Sequence, residues 1–214
     1  MNQKFVIQNT EEFVRQKLEQ EGTGHDWWHI VRVVEITKRI AQDEEADPFI
    51  SVMAALLHDL IDDKVVVDKE VALHEVKTWM SSQQVDEHNQ VHILNIIQTI
   101  SFKDGNDTLT SIEAQVVQDA DRLDAIGAIG IARCFAFAGS QGNLIYAPHE
   151  EPESNMSQGR YRQRNGTAIN HFYEKLLKLK DLMNTSTGYK LAEERHQFMN
   201  QYLDQFYAEW KGMR

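Results

Sequence analysis

The sequence predicts an all-α protein that forms a single domain of roughly nine helices. Only three prolines interrupt the 214 residues, so helices can run long. Apolar residues recur at helical spacing along most of the chain, whereas the alternation typical of strands is scarce. With 42% hydrophobic and 26% charged residues, the composition is that of a globular protein and favours a compact helical bundle.

The helices can be placed from their apolar spacing and their end signals. They are predicted over about 11–21, 25–43, 49–58, 69–80, 85–100, 111–125, 132–137, 161–183 and 187–207. The third is apolar almost all round, which predicts a central position, and Asp47 and Pro48 suit its first turn. Gly127 and Gly130 permit close packing or a bend before the seventh helix. We divide the domain 1–214 into a core of about 22–138, a loop 139–159 and C-terminal helices 160–208.

The composition also limits the ligands, metal sites and cellular location that we expect for the protein. A net charge of −11 argues against a non-specific nucleic-acid binder, and an acidic protein that handles phosphates needs local positive charge, which a metal ion supplies. The single cysteine, Cys134, excludes an intrachain disulfide and a cysteine zinc site. The N-terminus lacks a signal-peptide core, and the longest apolar stretch, 49–57, is too short to span a bilayer. We expect a soluble cytoplasmic protein without membrane contact.

The most informative motif is His58-Asp59, which ends the apolar third helix. A buried carboxylate is costly without a partner, so a metal ion or a strong hydrogen-bond network would have to satisfy it. Asp62 and Asp63 follow the pair by four residues. If the helix continues, both lie one turn further on the same side, where a catalytic acid or base would be placed. The alternative is a polar helix end that turns outward.

Two further segments carry clustered polar residues. His25 and His29 are four residues apart, so both rings can share one helical face and ligate one metal. His29 lies on the inward apolar stripe, whereas His25 could orient a ligand or contact substrate. Asp119, Asp121 and Asp124 fall within an otherwise apolar helix, and periodicity alone leaves open which of them is a ligand.

Together these segments resemble the HD superfamily of metal-dependent phosphohydrolases, whose pattern is an early His, an adjacent His-Asp and a late Asp. The matching positions are His29, His58-Asp59, and Asp121 in Ala-Asp-Arg-Leu. The resemblance implies an HD-type helical bundle in which these four residues hold one divalent metal. The His-Asp-x-x-Asp-Asp arrangement is also similar to the hydrolase domain of ppGpp-metabolising enzymes, where the acidic pair is Glu-Asp. That implies a catalytic role for Asp62, Asp63 or both.

The resemblance extends over nearly the whole chain. Residues 119–135 and 171–177 look like those of small bacterial HD proteins described as nucleotide pyrophosphohydrolases. This implies hydrolysis of a nucleoside triphosphate to a monophosphate and pyrophosphate through a metal-activated water. The alternatives are a 5′-nucleotidase, a cyclic-nucleotide or ppGpp-type phosphohydrolase, a di-iron oxygenase and, from another class, an HD-fold regulatory binding module.

The resemblance also bears on cofactor and partners. We favour one octahedral Mn, Mg, Co or Ni ion, with Fe or Zn as alternatives, although His74, His88 and His92 could serve a second metal. Developing phosphoryl charge needs hydrogen-bond donors. The candidate substrate contacts are His25, Lys64, Lys103, Arg122, Lys175 and Lys178, with Arg133 as a further cation. The expected partner is a small-molecule nucleotide, and a homodimer is compatible with the sequence.

Overall fold

The structure is a computed structural model that describes residues 2–19, 24–63, 65–100, 109–153 and 166–214. Within these ranges all regular structure is helical, so the all-α prediction is confirmed. The nine α-helices of the described residues are α1 (Gln3–Leu18), α2 (Trp27–Asp43), α3 (Pro48–Leu57), α4 (Lys69–Ser82), α5 (Glu87–Thr99), α6 (Ile112–Asp124), α7 (Gly127–Ser140), α8 (Ala168–Glu174) and α9 (Ser186–Trp210). Two 3₁₀ helices span His58–Ile61 and Leu176–Leu182.

The chain forms two compact units, Met1–Asp121 and Arg122–Arg214. The single domain 1–214 remains a prediction. In the part of the chain that the structure describes, no single helix is long and apolar enough to cross a membrane. The bent pair α6 and α7 meets the requirements of length and composition only together.

Helix α3 is the centre of the first unit. Every side chain from Phe49 to Leu57 is buried, and α1, α2 and α5 pack around it, as its uniformly apolar sequence predicts. The Asp47 side chain accepts the Ile50 N–H at 2.9 Å and Pro48 occupies the first turn, so the predicted start is confirmed. Because α3 is fixed on all sides, the residues that follow it have a well-defined position.

Helix α6 is tied into the same unit by polar contacts. The Glu113 carboxylate accepts the Asp47 N–H at 3.1 Å and lies 3.5 Å from His92 Nε2. Farther along, the Gln118 side chain donates to the Ile100 carbonyl at 3.3 Å. These contacts hold α6 at Glu113 and at Gln118. The position of Asp121, one turn farther along the same helix, is therefore well defined.

The second unit contains α7, α8, the second 3₁₀ helix and α9, with α9 packed against α7. The α6–α7 junction depends on glycine. Gly127 has φ +75°, a conformation that other residues adopt only with strain, and a Cβ at Gly130 would lie 2.3 Å from the Ala125 carbonyl oxygen. The close packing predicted for these glycines is therefore confirmed. Because they permit an immediate turn, α7 begins at Gly127 and not near residue 132.

Several predicted boundaries were wrong. The first helix starts at Gln3, where the Asn2 side chain accepts the Phe5 N–H, and not near residue 11. The described part of the predicted helix 161–183 divides into α8 and a 3₁₀ helix, because Lys175 leaves helical geometry. Residues 161–165 lie outside the described ranges. In the predicted loop 139–159, α7 continues to Ser140, and the described residues 141–153 contain no helix.

Candidate metal centre

The first element of the site is the end of α3, where the helix tightens into 3₁₀ geometry at His58. His58 Nδ1 lies 2.8 Å from the Ala55 carbonyl oxygen, which can only accept, so Nδ1 donates to it and Nε2 is the ring nitrogen that faces the cluster. That Nε2 is buried and makes no hydrogen bond to the described residues. A buried nitrogen held in this way is the arrangement of a metal-ligating histidine.

The start of α2 supplies the second imidazole. Asp26 caps this helix by accepting the His29 N–H at 2.7 Å, which fixes the first turn and directs His29 inward. The His29 side chain is 1% exposed. Its Nε2 lies 3.3 Å from an Asp59 carboxylate oxygen and 3.4 Å from an Asp121 carboxylate oxygen. His29 therefore joins both carboxylates at one point.

Asp59 is surrounded by three imidazoles. Its Oδ1 lies 3.3 Å from His58 Nε2, and its Oδ2 lies 3.3 Å from His29 Nε2 and 2.9 Å from His25 Nδ1. Burial favours the neutral acid, but the charge of His58, the hydrogen bond with His25 and the charge of His29 outweigh it and lower the pKa of Asp59 to about 2. The carboxylate is therefore ionised at neutral pH and able to bind a cation.

Asp121 is the acidic residue of α6 that reaches the cluster. Its Oδ1 lies 3.4 Å from His29 Nε2 and 4.0 Å from His58 Nε2, and its side chain is 42% exposed. Partial burial opposes ionisation, but the hydrogen bond with His29 and the charges of His58 and His29 lower the pKa of Asp121. Asp124 instead pairs with Arg133, and Asp119 is fully buried outside the two groups of candidate ligands. Geometry thus distinguishes three carboxylates that spacing could not separate.

These residues form two overlapping groups of donor atoms, each within 4.8 Å: His25, His29 and Asp59, and His29, His58 and Asp121. Donors about 2.1 Å from an octahedral ion lie about 3 Å apart when adjacent, close to the separations found here. Two imidazole nitrogens with two carboxylates suit a divalent transition metal and leave positions open for water and substrate. The residues therefore fit the metal that the sequence implies.

The acidic pair after the His-Asp dyad lies differently from the helical expectation. The α-helix stops at Leu57 and continues as a 3₁₀ helix, whose last bond runs from the Asp62 N–H to the Asp59 carbonyl at 3.1 Å. The 3₁₀ helix ends at Ile61 because the Asp62 backbone is extended. The condition that the helix continues is thus not met, and the four-residue spacing does not create one helical face. Asp62 is half-buried one 3₁₀ turn beyond Asp59, and Asp63 is exposed.

Among the other predicted site residues that the structure describes, only His25 belongs to the two groups of candidate ligands. His25 precedes α2, so its place beside Asp59 is not due to an i, i+4 helical pair. His74 and His88 are exposed, and His92 contacts Glu113. Lys64 and Lys103 lie outside the described residues. Arg122, Lys175 and Lys178 belong to the second unit, where Arg122 donates to the Leu182 carbonyl.

Comparison with known proteins identifies the family of the chain. The model of the HD domain family matches residues 27–126. Bacillus subtilis YpgQ is 41% identical over 204 residues, which cover 94% of this chain and 92% of YpgQ. The structure of an HD-superfamily hydrolase from Bacillus thuringiensis is 42% identical, covers 98% of this chain and 99% of its own, and has a TM-score of 0.81. The structure of YpgQ in complex with ADP is 38% identical, with 98% and 97% covered and a TM-score of 0.81.

The chain belongs to the HD domain family. Within that family it is an HD-superfamily hydrolase, and membership implies a metal-dependent hydrolase. The sequence resemblance is thereby confirmed, and its fold is the one observed.

Proposed function

We propose that this protein is a divalent-metal-dependent phosphohydrolase that cleaves a nucleoside triphosphate to a monophosphate and pyrophosphate. The observation that carries the proposal is that His29 Nε2 and His58 Nε2 each lie within 4.0 Å of both the Asp59 and the Asp121 carboxylates. A nucleotide as substrate is supported by the solved complex of its relative YpgQ with ADP. Net charge −11 disfavours nucleic acid and anionic membranes as the ligand.

The four side chains would hold one Mn, Mg, Co or Ni ion. When bound, the ion supplies a Lewis acid for the phosphoryl oxygens and lowers the pKa of coordinated water. The protein contributes preorganisation: the Ala55 carbonyl orients His58, the Asp26 cap fixes His29, and both carboxylates are ionised at neutral pH. Little rearrangement is then needed when the ion enters.

We assign the role of general base, which accepts the proton of the attacking water, to the acidic pair that follows the His-Asp dyad. The half-buried position of Asp62, with its backbone N–H on the Asp59 carbonyl, favours it over the exposed Asp63. Asp62→Asn should retain metal binding and lower kcat by about 10²-fold or more, the usual contribution of a general base. Asp63→Asn serves as the matched variant, and equal full activity of both would remove the pair from the mechanism.

The experiment that tests the reaction is turnover of a nucleotide panel with each of the four metals, with products separated by ion exchange. Release of pyrophosphate and nucleoside monophosphate is expected. Release of orthophosphate from nucleoside monophosphates, or of pyrophosphate from ppGpp, would identify a different substrate but leave the assignment as a phosphohydrolase unchanged. Metal binding without turnover on any of these would favour the regulatory binding module.

A further inference from the structure

His25 occupies a position that the four-ligand site does not explain. It lies just before the Asp26 cap of α2, outside the helix, with a side chain that is only 15% exposed. Its Nδ1 is 2.9 Å from Asp59 Oδ2, a shorter contact than the 3.3 Å that Asp59 makes with His29 or with His58. The hydrogen-bond partner of His25 is thus Asp59, a candidate metal ligand, and not a surface group.

The chemistry of the contact defines which atom donates. The Asp59 carboxylate oxygen accepts, so a hydrogen bond at 2.9 Å requires the proton to be on His25 Nδ1. A carboxylate can rotate about its bond to the side chain, and a donor on Oδ2 limits that rotation. Oδ1 is then kept 3.3 Å from His58 Nε2, on the side of the proposed metal site.

We propose that His25 is a positioning residue, which donates Nδ1–H to Asp59 Oδ2 and thereby holds this carboxylate in its metal-binding orientation. The inference rests on the proposed metal site. A direct ligand role is disfavoured because Nδ1 is engaged with Asp59, whereas His29 and His58 both direct Nε2 to the centre. A residue that orients a ligand in this way usually contributes about 10–100-fold to metal affinity.

The test uses the full chain and Mn²⁺ alone, with affinity and stoichiometry from titration calorimetry and with the Mn²⁺ electron paramagnetic resonance spectrum. Three variants separate the two ring nitrogens. His25→Asn places an amide donor near the Nδ1 position, His25→Gln places one near the Nε2 position, and His25→Ala removes both. His149→Ala is the control, since that side chain is 83% exposed.

We expect His25→Ala and His25→Gln to bind one Mn²⁺ with about 10–100-fold lower affinity. His25→Asn should recover most of the loss. At saturating Mn²⁺ the KM for the nucleotide should remain near the wild-type value. Wild-type affinity in His25→Ala would overturn the positioning role, as would a changed KM with unchanged Mn²⁺ affinity, which would make His25 a substrate contact.

Failure of Asn to rescue, with a spectrum that loses a nitrogen ligand, would make His25 a direct ligand and also overturn the proposal. Apart from the KM comparison, these outcomes are measured by Mn²⁺ binding and do not depend on hydrolysis. A wild-type protein that binds no Mn²⁺ would remove both the proposed function and this inference. A wild-type protein that binds Mn²⁺ but hydrolyses nothing would remove only the proposed reaction.

Discussion

Two buried carboxylates lie at the ends of apolar helical segments in this protein, and their neighbours differ. Asp59 is 3% exposed in the 3₁₀ turn after α3, where three imidazoles face it. Asp124 is 1% exposed at the end of α6, where the Arg133 guanidinium donates both to its side chain and to its backbone carbonyl. Arg195 donates to the adjacent Leu123 carbonyl and helps to close the same helix end.

The difference distinguishes a ligand site from a structural ion pair. A guanidinium is permanently charged, so Arg133 compensates the charge of Asp124 within the protein itself. Imidazole is a neutral ligand when its lone pair faces a metal, so the cluster around Asp59 is suited to an added cation. Both carboxylates are buried at the end of a helical segment, and the type of partner tells the two sites apart.

The largest expected effect is that of Asp59→Asn, which keeps the shape of the side chain and removes its charge. Because Mn²⁺ should stabilise only a protein that binds it, wild type should gain thermal stability on adding Mn²⁺ and the variant should not. Hydrolysis should fall by about 10³-fold or more, since the metal contributes several kcal/mol to the transition state. Differential scanning fluorimetry with and without Mn²⁺ measures the first effect, and a retained Mn²⁺ shift would contradict the ligand assignment.

The matched change at the other carboxylate is Arg133→Met. It removes the Arg133 cation from the buried Asp124 carboxylate, which should lower the free energy of unfolding by about 3 kcal/mol. Urea denaturation measures the loss, and Mn²⁺ affinity of the folded protein should stay unchanged. Adding Asp124→Leu to Arg133→Met should recover much of the stability, because the buried charge is then removed as well. In Asp59→Asn, by contrast, the lost ligand charge should not be restored by a second substitution elsewhere. A loss of Mn²⁺ affinity in Arg133→Met would weaken the distinction between the two sites.

The sequence predicted the surroundings of Asp59 better than the roles of the acidic residues in α6. The apolar α3 with Asp47-Pro48 at its start predicted a central helix, and therefore a buried His58-Asp59. Spacing alone could not choose among the acidic residues of α6, because periodicity gives no partner; family resemblance selected Asp121, and contacts with His29 and His58 distinguish it in the structure.

Local hydrogen bonds account for what the sequence did not reveal. The Asp62 N–H bonds to the Asp59 carbonyl in a 3₁₀ turn and the Asp62 backbone is then extended, so the acidic pair does not continue along α3. His25 reaches Asp59 from outside the helix, a contact that no periodic pattern encodes. The break in the predicted helix 161–183 is likewise not evident from its amphipathic spacing.

The junction after Asp124 can be tested without touching a charge. A Cβ at Gly130 would lie 2.3 Å from the Ala125 carbonyl oxygen, whereas one at Gly139 in the same helix would meet no atom within 4 Å. Gly130→Ala should therefore cost about 2 kcal/mol through overpacking. Gly139→Ala should instead gain about 0.5–1 kcal/mol from the better helix propensity of alanine. Urea midpoints measure both, and equal midpoints would show that the junction is not closely packed.

The smallest expected effect concerns pH and the second unit alone. Burial and the charge of Lys175 lower the pKa of His171 from 6.5 to about 4, so the unfolded chain binds this proton more readily than the folded one. Stability from this residue is complete above pH 6.5 and is lost as pH falls towards 4, with about 1 kcal/mol lost between pH 7 and pH 5.5. Urea unfolding at these two pH values measures the change, and His171→Gln, which cannot be protonated, should reduce it. If the pH dependence is unchanged in His171→Gln, another group takes up the proton. If the free energy of unfolding of the wild type rises on acidification, the lowered pKa of His171 is contradicted.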